Sequence, residues 1–176
     1  PAFADERLLD LFYHYGGVAG GRGSGDDVLR VEGINLGGHA DSVVADIIAA
    51  GYPYDQWAGH FYQAMSHERF VKLGIEAARL GLRVNCVVSR GLEYALSAYG
   101  AIDQEVPIRD RRWVVIHVNQ ASDAQIRRMK ALGVGVRAHG WRVLSGSKGQ
   151  AGPPYRMLLD SGIHVGTGMD GAQASP

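Results

Sequence analysis

Three times along the chain, apolar residues at helical spacing run into a glycine and then into a short apolar run. Phe70, Val71, Ile75 and Ala78 recur near the helical repeat after Ser66, a candidate N-cap; Gly81 follows, and Leu82–Val88 reads as a strand. Ser122 and Gln125 have the spacing of a capping box. Ile126, Met129 and Leu132 then line one helix face, and Gly133 leads into the strand Val134–Ala138. Pro153 and Pro154 open a third helix carrying Met157 and Leu158, which Gly162 ends before the strand Ile163–Thr167. A glycine just past a helix takes up the left-handed backbone that strains other residues.

Two more strands complete the pattern, Val28–Leu36 and Trp113–Val118. The second is almost continuously apolar, as a strand buried on both faces should be. Val87, Val115, Ile116 and Val136 are the expected core. Helices alternating with short apolar strands predict an α/β fold with a parallel sheet. Periodicity leaves two architectures open, a doubly wound sheet and a portion of a (β/α)8 barrel. Five strands do not close such a barrel, which typically takes about 250 residues. On the barrel reading the 176 residues form one domain, the C-terminal part of the barrel, with residues 1–27 a helix and glycine-rich connector and 28–176 the strand–helix repeats. The start at Pro1, without a methionine, fits a processed or partial chain.

Composition narrows the partners. Eighteen basic and eighteen acidic side chains cancel, which argues against nucleic acid or an anionic membrane surface as the main partner. The run Arg109-Asp110-Arg111-Arg112 reads as a solvated turn. No apolar run reaches transmembrane length and the start lacks a signal-peptide layout, so a soluble, cytoplasmic protein is expected. A single cysteine, Cys86, excludes an intrachain disulfide and an all-cysteine metal cage; within an apolar strand it reads as a buried, inert thiol. The glycines of Gly16–Gly25 follow no strand and precede no Gly-Lys-Ser/Thr, so this segment reads as a connector, not a phosphate loop.

The candidate chemistry gathers at strand ends. In parallel α/β folds the carboxyl ends of the strands form the reactive rim. Asp170 stands at the tip of the last strand, and His139 follows the strand Val134–Ala138. His39 follows Val28–Leu36 in a small-residue turn, where the competing reading is a helix N-terminus with Asp41 capping Ser42–Ala50. For Asp170 the competing reading is a loop aspartate making local turn bonds. His117, on an apolar strand, reads first as a core histidine, and His164, early in its strand, as structural. His14, His60 and His67 sit in or beside helical segments. The aromatic run from Tyr52 to Tyr62 reads as a packed connection, with a substrate-facing lid as the alternative.

From about Val28 to the end, the order of these pieces resembles the metal-dependent amidohydrolases, in the branch called amidohydrolase family 3. Leu29–Asn35 resembles the fourth barrel strand and Leu82–Tyr99 the fifth with its helix. Ile116–Gln120 with Ala121-Ser122 resembles the sixth-strand motif, Ala131–Val134 the seventh-strand lead-in, and Gly162–Pro176 the eighth strand. The resemblance implies a TIM-type barrel that hydrolyses non-peptide carbon–nitrogen bonds of a small-molecule substrate with metal-activated water. It implies a divalent metal, zinc, in the intact parent, with Asp170 as metal ligand and catalytic residue and His117, His39 and His139 as further catalytic candidates.

The family's other ligands are a His-x-His pair on the first strand, a lysine or acid on the fourth, and histidines on the fifth and sixth. This chain has no His-x-His, and the three later positions fall on Asn35, Asn85 and Val118, with His117 one place away. A one-residue shift on a strand turns a side chain to the other face, and neither asparagine nor valine is a good zinc ligand. The expectation is therefore a metal in the parent and none in this chain alone. Open strand edges predict a homo-oligomer or completion by the missing barrel strands. The alternative is a non-catalytic, metal-free barrel relative that serves as a small-molecule binding or structural module.

Overall fold

Five parallel strands lie side by side in chain order. β1 (Gly33–Leu36) pairs with β2 (Arg83–Val87), β2 with β3 (Val114–Ile116), β3 with β4 (Gly135–His139), and β4 with β5 (Val165–Gly168). This computed structural model describes His14 and residues 22–36, 67–88, 91–118, 120–139 and 153–168, and elements are numbered among these. The helices are α1 (His67–Arg79), α2 (Leu92–Glu105), α3 (Asp123–Leu132) and α4 (Tyr155–Asp160), with a 3-10 turn at Arg109–Arg111. A doubly wound sheet reverses its strand order at a switch point. The described strands contain no reversal, so the α/β fold follows the consecutive order of a barrel segment.

Strand alternation assigns the two faces. In β2 the side chains of Val84 and Cys86 are fully buried while Arg83, Asn85 and Val87 are partly exposed. Register places Cys86 beside Val115, and Val115 beside Val136, so one row of buried residues crosses the sheet on the side the helices cover. α1 packs on α2 and α2 on α3. Gly74 permits the first of these contacts: a Cβ there would run into the Ile102 side chain. Trp113, Tyr99 and Phe70 fill the centre, with the Tyr99 and Trp113 rings edge to face at 5.1 Å.

The helix signals hold. Ser122 Oγ accepts the Gln125 backbone N–H at 3.3 Å, and Gln125 Oε1 accepts the Ser122 N–H at 3.0 Å, closing the capping box. Ile126, Met129 and Leu132 are buried as expected. Gly81, Gly133 and Gly162 all adopt positive φ, at 73°, 66° and 74°. Cys86 is buried, and Arg109 and Asp110 lie in an exposed turn. Ser66 and the aromatic run lie outside the described residues.

Several expectations are corrected. The strand expected over Val28–Leu36 begins only at Gly33. Asp26 is the reason: its carboxylate accepts the backbone N–H groups of Val28 at 2.8 Å and Leu29 at 2.9 Å, which bends the chain into a turn closed by a bridge between Gly25 and Arg30. The Leu29 and Val28 amides also hold the Asp26 carboxyl below the usual carboxylate range. Val28 is left 94% exposed.

The strand expected over Trp113–Val118 is shorter, Val114–Ile116, and buries Val115 fully while Val114 and Ile116 are only partly buried. Val115 and Val136 are core residues, but Val87 and Ile116 lie on the opposite face and are half-buried. In α4 Leu158 is fully buried and Tyr155 packs partly buried against the core, whereas Met157 is exposed.

Candidate functional site

All five strands run the same way, so their carboxyl ends share one edge of the sheet. His139 is the last residue of β4 and pairs in register with Gly168, the last residue of β5. Asp170 follows Gly168 by two residues in the sequence but lies outside the described residues, as does His39. The described rim is therefore His139 with Gly168, and His117 one strand away.

His117 is placed by an unusual backbone. It follows β3 directly, is half-buried, and has φ of 63°; its N–H donates to the Arg137 carbonyl oxygen at 3.1 Å. The left-handed region is sparsely used by residues other than glycine, with His among the types that enter it more often. The change of hand ends the two-residue alternation of β3, and Val118 becomes fully buried. The face of His117 therefore does not follow from counting along the strand, as the sequence alignment assumed. Val118, the position matched to the family's sixth-strand histidine, belongs to the core.

Asn35 and Asn85 sit opposite one another across β1 and β2. Their row continues through Val114 to Gly135, four residues before His139 on β4. At the strand rise this is an offset of about 13 Å along the sheet. The two asparagines are brought together with each other, but not with His139.

The residue the sequence reading passed over is Arg137. It lies on β4 between Val136 and Ala138, both buried, and is itself exposed. An arginine between Val136 and Ala138 in this five-residue strand was a legible signal. At the opposite, amino ends of β4 and β5 a cavity of about 430 Å³ is lined by residues including Arg109, Lys130, Gly133 and His164. His164 thus lies away from the rim, as its early strand position suggested.

Among the described residues, no group of three or more His, Cys, Asp and Glu side chains is placed to hold a metal ion. Zinc in catalytic sites generally takes three protein ligands. The described residues do not by themselves make up a metal centre.

The sequence matches no protein-family model and no curated protein. Solved structures do match. An uncharacterized metal-dependent hydrolase from Pyrococcus furiosus superposes with a TM-score of 0.63 at 18% identity, covering 95% of this chain and 36% of that one. A second uncharacterized metal-dependent hydrolase, from Pyrococcus horikoshii OT3, gives a TM-score of 0.60 at 16% identity, covering 95% and 35%. The chain shares its fold with metal-dependent hydrolases. It spans about a third of the length of either one.

Proposed function

We propose that this chain is the C-terminal part of a (β/α)8 barrel of the amidohydrolase type. Its parent would hydrolyse non-peptide carbon–nitrogen bonds of a small-molecule substrate. The observation that carries this reading is the consecutive parallel order β1 to β5, which follows metal-dependent hydrolases over 95% of the chain. Chemistry in such barrels sits at the carboxyl ends of the strands, where His139 closes β4 and Asp170 follows β5.

In this proposal Asp170 holds a divalent metal, zinc, in the parent, and His139, His117 and His39 are further candidates for the same rim. The metal's contribution when bound is a water activated near neutral pH. The remaining ligands come from barrel strands that precede this chain, because the described residues lack a third donor at the rim. The outer edges of β1 and β5 are then closed by those strands or by a second copy of the chain.

The test is elemental analysis and amide-hydrolysis assay of the longer parent, with Asp170→Asn beside the wild type. A bound equivalent of zinc, and a fall of about 10- to 100-fold or more in metal affinity or turnover in the variant, is the expected result. A parent that binds no zinc and hydrolyses no amide with zinc supplied would overturn the proposal.

A further inference from the structure

The 3-10 turn between α2 and β3 lies against the end of α3, where a Cβ on Gly133 would strike the Arg109 carbonyl. Turn and helix end together frame the cavity at the amino ends of β4 and β5, the end of the sheet opposite the rim. Arg109, Arg112 and Lys130 line it, and Asp110 is the one carboxylate among its described lining residues. None of these four side chains makes an ion pair among the described residues. Three cations therefore face one carboxylate, in a chain whose charges sum to zero.

The core fixes where these residues stand, although their side chains are exposed. Ile108 and Trp113, which bracket Arg109–Arg112, are fully buried, and Asp103 Oδ1 accepts the Ile108 N–H at 2.8 Å. Arg109 Nη1 donates to the Ala131 carbonyl oxygen at 3.4 Å, and Lys130 Nζ to that of Ser161 at 2.8 Å. Cations at helix C-termini offset the macrodipole, which accounts for these two bonds. Each uses one donor and leaves the rest of the guanidinium or ammonium free to bind. Arg112 is different. Its side chain has no hydrogen-bond partner among the described residues, and its backbone is left-handed, at φ 56°, where glycine would be unstrained. The neighbouring Arg111 donates its Nε–H to the Pro107 carbonyl at 3.0 Å and does not line the cavity.

Exposed ion pairs are weak one at a time. A singly charged carboxylate gains little here, whereas an anion with several charged oxygens meets three cations at once, two of them planar forks suited to phosphate. A volume of about 430 Å³ fits a small molecule. No Phe, Tyr or Trp is among the described lining residues, so the cavity offers no ring on which a nucleotide base would stack. We propose that this cavity binds a small polyphosphate anion of the inorganic pyrophosphate type, held by Arg109, Arg112 and Lys130. It is a second site, apart from the strand-end rim.

The test is calorimetric titration of the whole chain with pyrophosphate, acetate and ADP, in metal-free buffer at constant ionic strength. Pyrophosphate is expected to bind saturably at one site and to weaken as sodium chloride is raised. Acetate is expected to be weaker by at least about tenfold, and ADP no tighter than pyrophosphate. Arg112→Gln is expected to weaken pyrophosphate about three- to tenfold. Arg111→Gln makes the same charge change in the same turn and should leave the affinity within about twofold, because a charge outside the cavity is screened. Circular dichroism checks that both variants fold.

No saturable binding of pyrophosphate would overturn the proposal, as would acetate binding equally well. ADP binding more tightly would overturn the assignment to the bare anion. Equal losses in folded Arg112→Gln and Arg111→Gln would reduce the effect to general charge and overturn the site. Should Arg112→Gln fail to fold, the wild-type comparison of the three anions decides. No metal or turnover enters this measurement, so its outcome is independent of the zinc and hydrolysis tests on the parent.

Discussion

Trp113 donates its indole N–H to the carbonyl oxygen of Leu82 at 3.0 Å, in a site where the ring is wholly shielded from water. The bond ties the approach to β3 onto the approach to β2 before either strand begins. Trp113→Phe keeps an aromatic ring but removes the donor and part of the volume. The expected loss is about 1–3 kcal/mol, read as a lower urea midpoint at unchanged slope. An unchanged midpoint would show that the bond and the packing around it add nothing.

The two faces of β3 should differ in how much they carry. Val115→Ala removes fully buried methyl groups and is expected to destabilise by about 1–3 kcal/mol. Ile116→Ala deletes a larger side chain, yet from the half-buried face, and should cost less than its size implies. Equal losses per methylene in the two variants would contradict the one-sided core.

Burial pushes the Tyr99 hydroxyl well above the ordinary phenol value, with a smaller contribution from the nearby Cys86 thiol. The unfolded chain releases this proton near pH 10 while the folded chain retains it. The contribution to stability is therefore complete below about pH 10 and is lost as the pH rises through the folded value. Melting temperature should fall above about pH 10 in the wild type and fall less steeply in Tyr99→Phe, which also forfeits the 3.3 Å hydrogen bond to the Val114 carbonyl. Parallel alkaline slopes in the two proteins would rule Tyr99 out as the cause.

Gly81 and Gly133 share the left-handed conformation but not the same surroundings. A Cβ on Gly81 would meet only Arg111 Nη1 at 3.8 Å, so Gly81→Ala should lose about 1–2 kcal/mol from backbone strain alone. On Gly133 the same atom would strike the Arg109 carbonyl, forcing the 3-10 turn to move. Gly133→Ala is expected to be the more destabilising in thermal melts, and the reverse order would discount the contact.

Added zinc should not be retained stoichiometrically by this chain alone. The sequence has no His-x-His pair, and no group of three or more His, Cys, Asp and Glu side chains among the described residues is placed to hold a metal ion. Incubation with zinc, desalting and elemental analysis measure this directly. An equimolar metal lost in Asp170→Asn would show that the chain completes a centre on its own.

The helix stops were legible because each is a local event. A periodic apolar stripe followed by glycine needs only neighbouring residues to be read, and Gly81, Gly133 and Gly162 all take the predicted hand. The strand limits were less legible where a side chain competes with the ladder. Asp26 holds the Val28 and Leu29 amides in a turn, and an apolar run alone does not reveal that competition. At the candidate site, His139 was legible as a strand-end residue, whereas Arg137 was overlooked for lack of a motif around it. Asp170 and His39, outside the described residues, remain readings of the sequence.

By itself the sequence determined the alternation of helix and strand, the places where helices end, and which strand residues are apolar. These are short-range consequences of periodicity and backbone preference. Only the tertiary structure decided that the strands lie in consecutive order, because pairing depends on which distant segments bury one another's surface. It also decided that Val115 and Ile116, adjacent and both apolar, have different fates: one faces the helices and is fully buried, the other lies on the opposite face and is half-buried. The hand of His117 belongs to the same class. Its positive φ goes with the bond from its N–H to the Arg137 carbonyl, which comes from a neighbouring strand twenty residues away.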